Sequence, residues 1–426
     1  MRRARNAIRM YASAQKNFFG DLEYGAPDPV FGVFDLFMKD KTRNKVNLSL
    51  GVYRTEDGAP HVFRAVRKVE EELARFDCDK EYGPSGGEVS FNNLSKKLIF
   101  GNDQNLLDRV ATVQSISGCG AISLTSQYLA ERKEPQTVTL LTPTWDNHYV
   151  LFNKIAKIIG LEMYDTKTSG FRSNEVIEAL RKTVPYGSTV VLQACAHNPT
   201  GVDPSERDWT EISKICKERH LLPIIDGAYL GFISGNISKD STFIKILLED
   251  KHEFFVCQSY SKIMGLYGER IGALHAVCNK KEDVAKLEGY FSTITQELAW
   301  RPGAYPSHIV SRILGTQEYY NDWMAELQEV TGRIRDMRVL LHKKMKELRT
   351  PGNWDFILSQ KGLFSYAPLS VEQCDDMIMN KHVYILRSGR MCMAGFNKKN
   401  IGIIANAIHD VVTKKSQYMQ CPAPIQ

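Results

Sequence analysis

The chain has 426 residues, 43% of them hydrophobic and 24% charged; the length leaves room for two or three domains, and the balance excludes a disordered, collagenous or membrane-embedded protein. The net charge is +6, but Arg2, Arg3, Arg5, Arg9 and Lys16 supply five of these charges before the first acid, Asp21, so the body carries only +1. A near-neutral body without aromatic-interleaved basic stretches argues against nucleic acid as a partner, and no apolar run approaches the roughly 18 residues that a membrane span needs.

Residues 1–16, MRRARNAIRMYASAQK, are Arg-rich and acid-free, the make-up of a mitochondrial transit peptide, with a basic tail as the alternative. This points to the mitochondrial matrix, with the cytoplasm as the other location. From Val62 onward, helical periodicity alternates with short apolar runs ended by Gly, Pro, Asn or Asp, which predicts an α/β fold with a mostly parallel sheet. The predicted strands are Val110 to Ser115, Thr137 to Leu141, Thr189 to Gln193, Leu221 to Ile225, Phe254 to Gln258 and Ala273 to Val277. A helix is predicted over Ser205 to Arg219, where Trp209, Ile212, Ile215 and Cys216 recur at helical spacing and Asp208 follows Ser205 by three. Asn321 to Leu348 reads as one long helix or two. It leads into a smaller C-terminal unit with strands Asp355 to Leu358 and His382 to Leu386 and a helix after Asn400. The nine cysteines are scattered and include no C-x-x-C pair, as expected of reduced intracellular thiols.

Three short patterns point to chemistry that their context does not support. Gly83-Pro84-Ser85-Gly86-Gly87 fits a nucleophile elbow, but the preceding FDCDKEY is too polar for the buried strand an elbow requires. Gly118-Cys119-Gly120 follows a strand as a dinucleotide fingerprint would, yet the third glycine position holds Ser123 and no acidic ribose ligand follows. What remains is a helix N-terminus suited to a phosphate. Ser259-Tyr260-Ser261-Lys262 fits S-x-x-K, but the chain contains neither S-D-N nor K-T-G. The ten histidines include no pair three to five apart, so no helical zinc motif is expected.

The strand ends are more informative taken together. Asp226 emerges at the carboxyl edge of the run 221–225, with Tyr229 three residues on; Ser259 and Lys262 follow the run 254–258, and Gly265, Gly268 and Arg270 come next. The run 189–193 ends in a sharp turn that leaves Asn198 at the same edge. Open α/β sheets bind ligands there. A lysine, a serine, an arginine and a glycine-rich turn can hold a phosphate beside one reactive amine, and the buried Asp needs a cationic partner.

These residues carry a resemblance. Ala194-Cys195-Ala196-His197-Asn198-Pro199-Thr200-Gly201-Val202-Asp203-Pro204, Asp226-Gly227-Ala228-Tyr229, Ser259-Tyr260-Ser261-Lys262 and Gly268-Glu269-Arg270-Ile271-Gly272 resemble the aspartate aminotransferases, pyridoxal-phosphate enzymes of fold type I. The likeness runs in order from Ala26-Pro27-Asp28-Pro29 through Lys45-Val46-Asn47-Leu48, Tyr53-Arg54-Thr55, Thr142-Pro143-Thr144-Trp145 and Asn147-His148 to Ser388-Gly389-Arg390. It implies a large cofactor-binding domain over 61–334 and a smaller α/β domain built from both chain ends, 17–60 and 335–426.

The resemblance also implies roles. Lys262 would bind pyridoxal 5'-phosphate covalently and then move the substrate α-proton, and Asp226 would pair with the pyridine nitrogen with His148 behind it. Tyr229 and Asn198 would meet the ring oxygen, and Trp145 the ring face. Ser259, Arg270 and the backbone of Ser117, Gly118 and Cys119 would take the phosphate, joined by Tyr82 from the other subunit of a homodimer with shared active sites. Arg390 would grip the substrate α-carboxylate, Arg301 of the partner chain the side-chain carboxylate, and Gly51 would let the backbone approach the substrate. Two departures stand out: Cys119 replaces a usual Thr, and the stretch after Arg301, usually Ser-Asn-Pro-Pro, is Pro302-Gly303-Ala304-Tyr305-Pro306 and one residue shorter. The implied reaction exchanges amino groups between aspartate and 2-oxoglutarate, so the partners are small amino and 2-oxo acids. A broad aromatic and dicarboxylic aminotransferase is the alternative, and a non-catalytic binding scaffold the rival from another class.

Overall fold

A computed structural model describes residues 28–75, 80–132 and 136–414. The expected transit peptide at 1–16 lies outside them, as do Ala26 and Pro27. After helix α1 (Pro29–Lys39) and the short strand β1 (Val46–Asn47), the chain builds one seven-stranded sheet. Its strands are β2 (Val110–Ile116), β3 (Gln136–Thr142), β4 (Ala156–Glu162), β5 (Thr189–Gln193), β6 (Leu222–Gly227), β7 (Phe254–Ser259) and β8 (Ile271–Val277), in the spatial order β2-β8-β7-β6-β5-β3-β4. Only β8 runs against its neighbours. The fold is therefore α/β with a mostly parallel sheet, as expected. The five strands β2 and β5 to β8 are almost wholly buried, which is why their sequences read as unbroken apolar runs.

Register brings the chemistry to one edge. Gln193 pairs with Asp226, Asp226 with Cys257, Ser259 with Gly272 and Ile116 with Ile271. The residues that follow Ile116, Gln193, Asp226 and Ser259, and that precede Ile271, thus share the carboxyl end of the sheet.

The helix predicted from Ser205 begins at Glu206 and runs to Glu218, with Ser205 and Asp208 closing a reciprocal capping box. The region 321–348 is one helix of 31 residues, Gln317–Glu347, and the expected domain boundary between 334 and 335 falls inside it without a break. Beyond it, strand β9 (Phe364–Tyr366) pairs antiparallel with β11 (Arg390–Cys392). Strand β10 (Val383–Tyr384) pairs with β1, so the two ends of the described chain meet. The last helix among the described residues is Ile401–Thr413.

The expected strand Asp355 to Leu358 is instead a single helical turn, Phe356–Ser359. The Asn353 carboxamide accepts from the Asp355 amide, and the Gln360 amide reaches back to the Phe356 carbonyl, both bonds a strand would forgo. A short apolar run has no period that separates the two forms. The expected strand from His382 to Leu386 shrinks to Val383 and Tyr384, because only this stretch finds a partner in β1.

Candidate active site

Asp226, near the end of β6, is buried, and both carboxylate oxygens are occupied: Oδ1 accepts from the Ala228 amide at 3.0 Å, and Oδ2 lies 3.2 Å from His148 Nε2. The other His148 nitrogen lies 2.8 Å from Thr144 Oγ1, so the hydroxyl can donate to Nδ1 while Nε2–H donates to the carboxylate. Trp145, one residue after Thr144, sets its ring edge-on to His148 at 5.5 Å.

The turn that carries Asn198 is held from two sides. Gln193 donates to the Asn198 carbonyl and accepts from its amide, both at 2.8 Å. The Asp203 carboxylate takes the amides of Ala196 and His197. This leaves the Asn198 carboxamide free to meet Arg390, whose Nη1 lies 3.0 Å from Asn198 Oδ1. Arg390 Nη2 donates to the Ser49 carbonyl at 2.5 Å, and its Nε is buried without a partner. A buried N–H of an arginine that lacks an acceptor is an opening for an anionic ligand. The Arg390 guanidinium sits over the Phe364 ring, 4.4 Å from its centroid. Gly51 faces the tip of the same ring, and a Cβ there would stand 2.8 Å from Phe364 Cζ, so only glycine fits.

Lys262 reaches into this cluster after β7, its Nζ 5.4 Å from the Tyr229 ring centroid. Burial pushes its ammonium down to about 8 against the opposing pull of Asp226. The Tyr229 phenol is pushed up by burial and stays protonated.

A ring of hydroxyls lies where helix Ser117–Ala130 begins. Ser117 Oγ is 3.2 Å from Ser259 Oγ and 3.0 Å from Ser261 Oγ. The helix N-terminus has no side-chain cap and no acidic residue in its first turn, which suits it to an anion. A Cβ on Gly118 would come within 3.1 Å of Ser259 Cβ, and one on Gly272 within 2.6 Å of the Ser117 carbonyl carbon, so the cup exists because these two residues have none. Burial raises the Cys119 thiol above its ordinary range, against the pull of Arg270 and Lys262, so it stands there as a neutral thiol. Arg270 lies exposed beside the cup, its Nη1 on the Tyr267 carbonyl.

Tyr82 and Arg301 form a separate group. Tyr82 is 68% exposed and sets its ring against Trp300 at 4.4 Å, while the Arg301 guanidinium lies 5.0 Å from the Trp300 ring centroid and donates to the Trp300 carbonyl. Of the expected site residues, the structure thus gathers Lys262, Asp226, His148, Tyr229, Asn198, Trp145, the serine cup, Gly51 and Arg390. It leaves Tyr82 and Arg301 together on the surface. Sequence reasoning missed Phe364, Thr144, Gln193, Ser49 and Ser261 as parts of the site. Of these, Ser261, inside the S-Y-S-K string, and Gln193, at a strand end, carried a signal.

The model of the family Aminotransferase class I and II matches residues 43–408. Aspartate aminotransferase 1 of Medicago sativa is 38% identical over 94% of this chain and 97% of its own. The mitochondrial aspartate aminotransferase of Dictyostelium discoideum is 36% identical over 94% of each. Among solved structures, the aspartate aminotransferase from Saccharomyces cerevisiae cytoplasm superposes with a TM-score of 0.90 at 32% identity, covering 93% of this chain and 98% of that one. The aromatic-amino-acid aminotransferase from Burkholderia pseudomallei, covalently bound to pyridoxal phosphate, does so with a TM-score of 0.90 at 32% identity, covering 93% and 100%.

Proposed function

The chain belongs to the class I and II aminotransferases and is a pyridoxal-phosphate-dependent transaminase, and we propose that it exchanges an amino group between L-aspartate and 2-oxoglutarate, giving oxaloacetate and L-glutamate. One observation carries the reading: a lysine of lowered pKa, a carboxylate backed by a histidine, a hydroxyl cup at a helix N-terminus and an arginine with a buried open N–H converge on one sheet edge. Pyridoxal phosphate fits these groups. The cup made by Ser117, Gly118, Ser259 and Gly272 would take the phosphate with Arg270, Asp226 would hold a proton on the ring nitrogen, and Asn198 and Tyr229 would meet the ring oxygen with Trp145 along the face. When bound, the cofactor supplies an electron sink for charge that develops at the substrate α-carbon.

The chain's own residues do the rest. Lys262 takes the proton from the substrate α-carbon on Nζ and returns it at the next step. An amine with a pKa near 8 is close enough to neutrality for both duties. Arg390 binds the α-carboxylate through the donor it leaves open and orients the α-carbon toward Lys262. Arg301 and Tyr82, which meet at Trp300 apart from the cluster around Lys262, serve the neighbouring subunit's site in a homodimer: Arg301 reads the side-chain carboxylate and Tyr82 meets the phosphate. We propose the division into a small unit, 17–60 with 335–426, and a large one, 61–334, and a mitochondrial location set by residues 1–16. Relatives occur in both mitochondria and cytoplasm, so import of a reporter fused to residues 1–30 is the test of location.

A second reading is favoured by the Arg301 environment. Its guanidinium rests on Trp300 with Tyr82 alongside, an aromatic surface that would also accept an uncharged ring in the substrate. A panel of aspartate, tyrosine and phenylalanine with 2-oxoglutarate as acceptor decides between them. Turnover on aspartate far above the aromatic acids supports the first reading, and comparable turnover the second.

A further inference from the structure

We propose that Arg338 is the positioning residue of the α-carboxylate pocket, fixing the turn 357–364 and, through it, the Phe364 ring on which Arg390 rests. This builds on the role proposed above for Arg390.

Arg338 lies within the helix Gln317–Glu347 and is 4% exposed. Its hydrogen-bond partners include no carboxylate. Nη1 donates to the Ile357 carbonyl at 3.1 Å, and Nη2 to the carbonyls of Gly362 at 2.9 Å and Phe364 at 2.6 Å. A buried guanidinium without a counter-ion is a costly way to stabilise a fold, and burial accordingly pushes it down to about 9. What the planar fork provides is direction: three carbonyls spread over eight residues converge on one rigid group.

The turn so held faces the proposed active site. Its last residue, Phe364, lies under Arg390, sets its ring edge-on to Tyr229 at 5.8 Å and closes on Gly51. Its other side locks onto the segment that carries Asn198. The Lys361 amide donates to the Gly201 carbonyl at 2.7 Å, and Gly362, at φ +71°, packs so close that a Cβ would fall 2.3 Å from the Ala196 Cβ. The Phe364 ring under the Arg390 guanidinium is therefore placed by the turn that Arg338 holds in register, and the same turn packs against the segment whose Asn198 Oδ1 meets Arg390 Nη1. A lysine at 338 would bring one point charge on a flexible stem and could not serve the three carbonyls together.

The test uses the holoenzyme with Arg338→Lys, Arg338→Met, Phe364→Leu and the double variant Arg338→Met/Phe364→Leu. It measures the Kd of succinate, a non-reacting dicarboxylate, by calorimetry, together with KM and kcat for aspartate and the cofactor absorbance. We expect succinate Kd and aspartate KM to rise roughly tenfold in both Arg338 variants, with a much smaller change in kcat at saturation and an unchanged cofactor spectrum. Arg338→Met should add little on the Phe364→Leu background, because both act through one ring. A succinate Kd within about twofold of wild type in folded Arg338→Lys, or full additivity with Phe364→Leu, overturns the inference. Should Arg338→Met not be recovered folded, the charge-retaining Arg338→Lys decides on its own. Arg390→Lys separates the two levels: if it leaves succinate binding intact, the role of Arg390 falls, and if it abolishes binding while the Arg338 variants do not weaken it, only the present inference falls.

Discussion

His148 stands behind Asp226, its Nε2 3.2 Å from Asp226 Oδ2, while Thr144 Oγ1 lies 2.8 Å from the opposite ring nitrogen. The chain Thr144, His148, Asp226 keeps the histidine in one tautomer and the carboxylate oriented, because a hydroxyl on Nδ1 and an acid on Nε2 leave the ring little freedom. A carboxylate used only to cap a helix would not need a buried imidazole behind it.

Asp226→Ala is expected to retain the fold and lose at least about a hundredfold in kcat, since the ring nitrogen would lose the partner that keeps it protonated. His148→Asn should cost less, about tenfold, the worth of one hydrogen bond to a charged group. Steady-state kinetics with aspartate and 2-oxoglutarate checks both. Near-wild-type turnover in Asp226→Ala would return the residue to a purely structural role.

Lys262 links function to stability through its pKa. Lys262→Ala should still bind pyridoxal phosphate while turnover falls by orders of magnitude. In the cofactor-free protein the folded state holds this amine at about 8 against 10.5 in the ordinary state, so between those values the unfolded chain binds more protons and stability rises with pH. Lys262→Met removes a penalty that is fully present below pH 8. The variant should exceed the cofactor-free wild type by about 1–3 kcal/mol at pH 7, with the gap narrowing toward pH 10. Urea midpoints at the two pH values measure it, and a gap independent of pH contradicts the assignment.

The edge of the sheet was legible because Asp226, Ser259 and Lys262 each follow an unbroken apolar run, and a fully buried parallel strand can hardly be written otherwise. Strand β4 was not, since Ala156–Glu162 lies at the sheet margin with most of its residues partly exposed, and its text AKIIGLE shows neither a clean run nor a clean alternation. Phe364 escaped for a different reason. Nothing local marks a phenylalanine as the floor of an arginine; that role is created by the pairing of β9 with β11, which sets Phe364 opposite Cys392 and Tyr366 opposite Arg390. The roles of Arg301 and Tyr82 came from resemblance alone. Within one chain they meet at Trp300.

Arg301→Ala is expected to raise the KM for aspartate by about a hundredfold or more and to leave phenylalanine within a few-fold, because only the first substrate brings a second carboxylate. Arg390→Lys should harm both, an ammonium being a poor substitute for a planar fork. Equal losses on both substrates in Arg301→Ala would show that the residue does not read the side chain.

The proposed sharing of active sites between subunits is tested by complementation. In a two-fold dimer the interface is isologous, so each chain gives and receives the same residues. On the proposed roles, Lys262→Ala removes the proton carrier from its own site, and Arg301→Asp removes the side-chain reader and repels the substrate carboxylate. Each homodimer should be nearly inactive toward aspartate. In a mixed dimer one site carries both defects, while the other joins the intact Lys262 of one chain to the intact Arg301 of its partner. Activity should therefore return to about half of the wild-type value per dimer, one site of two. If Arg301 served its own chain's site instead, every site in the mixed dimer would retain one defect. The isolated heterodimer would then be as inactive as its parents, and both the shared site and the placement of Arg301 would have to be abandoned.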